Sequence, residues 1–330
     1  MSGPSVHVVG ANVGTDSAGG AERKASTDAV LQIAFDRMLN PLTVNRQAFA
    51  LLDYSRTPLA PVVTYDPVAR VVSLSNPSVD PAATEWLKPD QPYKIILGIP
   101  DGNADTGGVR AIDGATLDPT QPLEIGFLVG KSKSGSVASE IATGPKMHFC
   151  SDVLPIFVNR CNVPTCHGGL GTPGKLPAAG LILETSDAVR NTAIGRVAQG
   201  SNTGPRAGPG LPPGHRFGVD MPIIDPGSPG NSWLMYKVLL APPPDSPTVV
   251  PPTPGCAAPH APFPSTQSAY LPLADDERMR LSSYVLGNPM PYPLQPGKNN
   301  ASQNLSVDEL QRLRAWIQQG ATVDTCGACQ

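Results

Sequence analysis

The stretch Cys161-Asn162-Val163-Pro164-Thr165-Cys166-His167-Gly168-Gly169 constrains this chain more than any other part of it. It brings two thiols and an imidazole within seven residues, directly after an apolar segment at 153–158. Thiols can add to the two vinyl groups of haem, and an adjacent imidazole can bind the iron. The pattern therefore predicts a domain built around one covalently attached haem c, with Cys161, Cys166 and His167 as cofactor-binding residues.

The spacing of the two cysteines departs from the usual attachment motif. That motif has two residues between the cysteines, whereas this chain has four. The intervening residues must bulge for both sulfurs to reach the vinyl groups, and Pro164 restricts how they do so. Two alternatives stay open: only one thioether bond forms, or Cys161 and Cys166 close a small disulfide ring instead.

An iron that transfers electrons needs a second ligand opposite His167. Methionine thioether is a soft, neutral ligand that raises the reduction potential. Met290 stands between two prolines in Asn288-Pro289-Met290-Pro291, and Met221 in Asp220-Met221-Pro222 is its rival. The residues alone leave both methionines open as the distal ligand.

Composition limits the classes of structure and function. The 330 residues include 39 Pro and 33 Gly, and only 15% are charged, which indicates many loops and few long charged helices. The net charge of -3 does not indicate the excess of positive charge that is typical of proteins that bind nucleic acid. No run of about 20 apolar residues is present, so no membrane span is expected.

Short apolar segments separated by turns fill the first part of the chain. This spacing predicts a β-sandwich over residues 1–130. His7 lies in the first segment, where we expect it to be solvated rather than a ligand. The predicted strands are 6–9, 30–35, 50–52, 61–65, 71–74, 93–97 and 123–128.

The remainder of the chain carries helix signals. Residues 131–144 are predicted to form a linker, and residues 145–330 a mainly α domain with long Pro/Gly-rich loops. The best specified helix begins with the capping box of Ser306 and Glu309 and ends before Gly320. The other predicted helices are 153–160, 231–240, 275–286 and one that starts at 186.

Residues 148–323 resemble the class I cytochrome c domains of exported bacterial proteins. The resemblance rests on the order of five motifs: Cys166-His167-Gly168-Gly169, Gly180-Leu181-Ile182-Leu183, the stretch 226–234, Met290-Pro291 and Trp316-Ile317-Gln318-Gln319-Gly320-Ala321. It implies that Met290 is the distal ligand, because Met221 comes too early in this order.

Residues 5–130 are similar to bacterial immunoglobulin-like domains. The similarity rests on three stretches, 35–44, 87–93 and 101–103. It implies a spacer or docking domain that carries no chemistry.

Four further cysteines, Cys150, Cys256, Cys326 and Cys329, form an even set. Structural disulfides are favoured over a redox dithiol or a zinc site, with bonds to Cys150 and Cys256 tying the tail back to the domain. Disulfides and covalent haem both indicate an oxidising compartment. The chain starts without a secretory signal, so we expect a mature or trimmed form of a periplasmic, cell-surface or extracellular protein.

The leading functional prediction is an exported monohaem c-type cytochrome that transfers one electron at a time to an unidentified redox protein. No enzyme activity, nucleic-acid partner or membrane span is expected. The alternative from another class is a haem-free, disulfide-stapled surface module for adhesion or scaffolding. A third hypothesis is a haem with an open sixth site that binds a small ligand.

Overall fold

The chain divides into two compact units, Met1–Thr143 and Gly144–Gln330. The computed structural model describes residues 3–14, 24–80, 82–101, 107–131, 145–162, 166–168, 177–198, 221–244, 273–285, 288–291 and 304–326. Nearly all of the predicted linker 131–144 lies outside these residues.

The N-terminal unit contains two four-stranded antiparallel sheets. The first has the strand order β1-β2-β6-β5, and the second has the order β4-β3-β7-β8. The strands are β1 Val8–Ala11, β2 Leu31–Phe35, β3 Phe49–Leu52, β4 Pro58–Leu59, β5 Val62–Asp66, β6 Val71–Ser75, β7 Pro92–Leu97 and β8 Glu124–Leu128.

Both sheets contribute side chains to one shared core. Buried and more exposed residues alternate along β3 and β7, whereas β2 is buried at every position. In β7, Tyr93, Ile95 and Leu97 are buried, and the residues between them are more exposed. Phe35 of β2 contacts Phe49 of β3, with ring centroids 6.1 Å apart. This aromatic contact joins the first sheet to the second.

Buried polar side chains fasten the loops of the N-terminal unit. The Arg37 guanidinium is 2.9 Å from Asp113, and Asp113 also accepts the amide N–H of Gly3 at 2.7 Å. The Tyr93 hydroxyl accepts the amide N–H of Lys88 at 2.9 Å. These contacts hold the entry to β7 and the first described residues against the core.

The C-terminal unit consists of short helices joined by irregular segments. A π-helical turn, Phe149–Val153, leads into α1, Leu154–Ile156, and a second π-helical turn, Phe157–Cys161, follows. The later α-helices are α2 Ser186–Thr192, α3 Trp233–Leu239, α4 Asp275–Tyr284 and α5 Val307–Gln318. Short 3₁₀ turns cover Ala178–Gly180 and Pro229–Asn231.

The fold class predicted from the sequence, a β-sandwich followed by a mainly α cytochrome c-like domain, is therefore wrong. The two antiparallel sheets are the largest regular assembly of the chain. The described part of the C-terminal unit is not mainly α, because irregular backbone separates short helices, of which α1 has three residues and α2 and α3 have seven each. Gly195 and Gly227 adopt left-handed φ angles of 63° and 85°, a conformation that interrupts helices.

The last helix begins as its capping box predicts. The Ser306 hydroxyl accepts the Glu309 amide N–H at 3.2 Å, and the Glu309 carboxylate accepts the Ser306 amide N–H at 2.6 Å. Gly320, with φ of 99°, follows its end. Two orphan amides of the first turn are thereby satisfied.

Within the described residues, no helix combines the length and the apolar character that crossing a bilayer requires.

The shared core yields a matched pair of substitutions on neighbouring strands. Val72→Ala removes two methyl groups from a fully buried position on β6, so we expect the free energy of unfolding to fall by about 2 kcal/mol. Val62→Ala, on β5, should change it by no more than about 0.5 kcal/mol because that side chain is 45% exposed. Urea unfolding followed by far-ultraviolet circular dichroism measures both. Equal losses in the two variants would contradict the assigned core.

Candidate functional site

The segment that delivers Cys161 is a widened helix. The amide N–H of Asn162 donates to the carbonyl of Phe157 at 2.9 Å, which closes a π-helical turn ending at Cys161. The Asn159 side-chain amide donates to the carbonyl of Pro155 at 2.8 Å. Single π-helical turns occur frequently at functional sites, because the extra residue shifts the direction of the side chains that follow.

An aromatic cluster packs this segment against α5. The ring centroids of Phe149 and Trp316 are 5.6 Å apart, and those of Phe157 and Trp316 are 6.2 Å apart. The indole N–H of Trp316 donates to the carbonyl of Thr322 at 2.9 Å, so its polar atom is satisfied. The first and last helical segments of the unit therefore share one core.

Two buried ion pairs set the register between the same two segments. Arg160 Nε lies 2.8 Å from Glu309 Oε1, and Arg312 Nη1 lies 2.7 Å from Asp152 Oδ1. Arg312 Nε is also 2.6 Å from Asp308 on its own helix. Removing one partner of a buried pair leaves an uncompensated charge, which costs about 3–5 kcal/mol. The residue before Cys161 is thus held to the start of α5.

Cys161 and Cys166 are half-buried, and neither forms a disulfide. Burial and, after it, the negative charges of Glu309 and Cys166 raise the pKa of Cys161 to about 12, against the opposing effect of Arg160. A thiol with so high a pKa is a poor nucleophile in thiol–disulfide exchange. This environment disfavours a redox dithiol at the motif. The residues 163–165 between the cysteines lie outside the described part of the chain.

His167 is buried and held on three sides by backbone groups. Its amide N–H donates to the Cys161 carbonyl at 3.3 Å, and its own carbonyl accepts the Leu183 amide N–H at 3.1 Å. Its ring nitrogen Nδ1 is 3.3 Å from the Leu181 carbonyl oxygen. Because a carbonyl can only accept, the hydrogen bond to Leu181 forms in the tautomer that carries the proton on Nδ1 and leaves the lone pair on Nε2.

The charge state of His167 follows from its surroundings. Burial lowers its pKa, and the nearby Lys237 ammonium lowers it as well, against the opposite effect of the Leu181 and Ala178 carbonyls. The imidazole is therefore neutral at neutral pH, which is the form that binds metal ions.

Gly168 leaves space that two neighbouring side chains occupy. A Cβ atom at this position would lie 1.9 Å from the side-chain oxygen of Asn162 and 2.9 Å from a carboxylate oxygen of Glu184. A larger residue at 168 would therefore displace the ends of both side chains.

The two candidate distal methionines occupy different environments. Met290 is half-buried, and its amide N–H donates to the carbonyl of Lys237 on α3 at 3.0 Å. Met221 is 3% exposed, and its carbonyl accepts the amide N–H of Ala198 at 3.1 Å. Since Lys237 also acts electrostatically on His167, α3 connects the surroundings of His167 with the Met290 loop.

A disulfide joins Cys150 to Cys326, across 176 residues of sequence. It ties the tail of the chain to the first π-helical turn, and the Ser186 hydroxyl lies 3.2 Å from the Cys326 sulfur. Cys256 and Cys329, which the sequence analysis assigned to structural disulfides, lie outside the described residues.

Sequence reasoning identified the motif but not the groups that surround it. Leu181, Lys237 and Glu309 all act on the predicted site residues, and the sequence analysis placed none of them near that site. The motif Gly180-Leu181-Ile182-Leu183 was recognised by its order, yet order does not reveal that a backbone carbonyl faces His167. Across the described ranges, no cluster of three or more His, Cys, Asp or Glu side chains could hold a metal ion.

Comparisons with known proteins place the chain in no family. No protein-family model matches it, and no curated protein is similar to it at the threshold of the search. Among solved structures it is similar to the S-layer protein rSbsC(31-844), with 10% sequence identity and a TM-score of 0.27. The match covers 46% of this chain and 17% of that one, so the chain spans less than a fifth of its length. A likeness at this TM-score carries no argument about function.

The disulfide predicts a redox-dependent stability. Cys326→Ser leaves the tail untethered, and we expect the free energy of unfolding of the C-terminal unit to fall by about 2–4 kcal/mol. Thermal unfolding with and without reductant measures the effect: reductant should destabilise the wild type and leave the variant nearly unchanged. Equal sensitivity of both chains to reductant would contradict this role.

The raised pKa of Cys161 predicts slow alkylation. At pH 8 a thiol of pKa about 12 is thiolate in only about one part in ten thousand. In a chain produced without haem, iodoacetamide should therefore modify Cys161 about a hundredfold or more slowly in the folded state than in urea. The protection should fade as pH rises toward 12. Peptide mass spectrometry separates Cys161 from Cys166, and equal rates in both states would overturn the assigned environment.

Proposed function

We propose that the C-terminal unit holds one haem c covalently through Cys161 and Cys166, with His167 as proximal ligand, and that the protein carries single electrons. The observation that carries the proposal is the environment of His167. Its ring is buried, and its Nδ1 lies 3.3 Å from the Leu181 carbonyl, so the tautomer that makes this hydrogen bond leaves on Nε2 the lone pair that iron needs.

The residues present fit this group. Cys161 and Cys166 form no disulfide, so both are thiols, the form that can add to vinyl groups. Burial keeps the His167 imidazole neutral, so no proton competes for Nε2. When bound, haem would supply one-electron exchange between ferrous and ferric iron. The chain contributes attachment, ligand orientation and a partly dry surrounding.

We assign the distal position to Met290. The resemblance to class I cytochrome c domains implies it, and the hydrogen bond from the Met290 amide to the Lys237 carbonyl supports it, because that residue also influences His167. The thioether favours the ferrous state. Met221 is buried among other contacts and is left as a core residue.

The remaining parts of the proposal concern location and partners. The Cys150–Cys326 disulfide supports an oxidising compartment, hence a periplasmic, cell-surface or extracellular protein. The N-terminal unit, similar to bacterial immunoglobulin-like domains, would act as a spacer or docking domain. A redox protein that donates or accepts one electron is the expected partner.

A second candidate function rests on a different observation. The C-terminal unit has its own covalent cross-link, the Cys150–Cys326 disulfide. It also has its own aromatic core, formed by Phe149, Phe157 and Trp316. A unit stabilised in this way could serve as a haem-free module for surface adhesion or scaffolding.

The decisive experiment is expression with export in a host that matures c-type cytochromes. We expect sharp α and β absorption bands in the dithionite-reduced protein, retained by the polypeptide after acid-acetone extraction. Cys161→Ala or Cys166→Ala should leave at most one thioether and shift the pyridine haemochrome band, and His167→Ala should abolish low-spin haem.

Met290→Ala tests the distal ligand, with Met221→Ala as its matched control. The first should lower the reduction potential and allow carbon monoxide to bind the ferrous form readily, whereas the second should do neither. Carbon monoxide binding by the wild type would indicate an open sixth site. A colourless, folded product from a competent host would overturn the haem proposal and favour the surface module.

A further inference from the structure

The imidazole of His7 lies between two carboxylates from distant parts of the chain. Its Nδ1 is 2.9 Å from Asp36 Oδ2, and its Nε2 is 3.1 Å from Asp118 Oδ2. The His7 amide N–H also donates to Asp36 Oδ1 at 2.8 Å. Asp36 directly follows β2, and Asp118 follows Leu117, the bridge partner of Val6. One side chain thus connects three segments.

This geometry defines the protonation state by itself. A carboxylate can only accept hydrogen bonds, and a neutral imidazole has one N–H and one lone pair. Both contacts are hydrogen bonds only when both ring nitrogens of His7 carry protons. A neutral ring would turn a lone pair toward one of the two carboxylates.

We propose that His7 is a protonation-dependent latch that fastens the N-terminal strand to the two segments beside it. This role is independent of the proposed haem site. The protonated imidazolium makes both hydrogen bonds, to Asp36 and to Asp118. When the ring loses its proton, one of the two is lost and the strand is released. The sequence analysis expected His7 to be solvated, and its contacts with Asp36 and Asp118 are what the tertiary structure adds.

The strand that follows His7 lies at the edge of its sheet. β1 lies at an edge of the first sheet and pairs only with β2 there, with a register shift between Val8 and Gly10. On its other side, Val6 exchanges backbone hydrogen bonds with Thr116 and Asp118, both 2.9 Å long. An edge strand that detaches exposes the unpaired backbone of its neighbour.

The charged groups around the latch are fixed by other contacts. The Arg37 guanidinium is bound by Asp113, and the Arg70 guanidinium donates to the backbone carbonyl of Asp36. The Thr120 amide and hydroxyl donate to Asp118 Oδ1 at 2.8 Å and 2.7 Å. Asp36 and Asp118 are therefore the carboxylates that face His7.

The pH window follows from the direction of two shifts. The hydrogen bond to Asp36, and then that to Asp118, raise the pKa of His7 above its ordinary 6.5. Hydrogen bonds from the Thr120 amide and hydroxyl lower the pKa of Asp118 below its ordinary 3.8. The contribution of His7 to stability is fully present below pH 6.5 and is lost as the pH rises through the raised pKa of His7. The contribution of Asp118 is lost as the pH falls through the lowered pKa of Asp118.

The first test is a titration of the full chain by NMR, following the imidazole protons. We expect the His7 midpoint to lie above that of the same residue in urea. Asp118→Asn keeps the shape of the side chain while removing its charge, so it should shift the midpoint part of the way back. A His7 midpoint equal in the folded and unfolded chains would overturn the proposal.

The second test measures opening of the strand. Amide hydrogen exchange over residues 6–11, corrected for the intrinsic effect of pH, should speed up severalfold as pH rises through the His7 midpoint. His7→Gln should show the fast rate at all pH values while the exchange of β6 stays unchanged. Parallel pH profiles in the wild type and His7→Gln would show that His7 is not a latch.

Discussion

Arg160 and Glu309 form a buried ion pair that attaches the segment carrying Cys161 to the last helix of the chain. Their charges have left water, so each depends on the other, and the cost of separating them fixes how the two segments align. Glu309 also caps α5 and raises the pKa of Cys161. The Glu309 carboxylate therefore influences the start of α5, the alignment of the two segments and the acidity of the Cys161 thiol.

Around that attachment, the site is built mainly from irregular backbone. His167 is held by the backbone of Cys161, Leu181 and Leu183 rather than by neighbouring helical side chains. Backbone groups in loops are free to hydrogen-bond with side chains because no ladder consumes them. A composition rich in proline and glycine thus shortens the helices of the C-terminal unit and also supplies the carbonyl that orients the imidazole.

Individual residues show how far the sequence could be used for prediction. The capping box of Ser306 and Glu309 was found because it is local, and the strand at 93–97 was found because a short apolar segment between turns is typical of a strand. The mainly α second half was wrong because signals for helix starts say little about helix length. The effects of Leu181 and Lys237 on His167 could not be predicted. Both residues come close to His167 only in the folded chain, and no rule of sequence spacing describes that proximity.

The sequence by itself determined which chemistry is available: two thiols and an imidazole in one motif, strands where side chains alternate, and a capped final helix. These are properties of neighbouring residues, and local sterics and hydrogen bonding decide them. Only the tertiary structure decided that Nδ1 of His167 faces the Leu181 carbonyl, that Cys161 is shielded, and that His7 meets Asp36 and Asp118. Those outcomes depend on burial and on groups far away in the sequence, such as Glu309 for Cys161 and Asp118 for His7, and both arise only when the chain is folded.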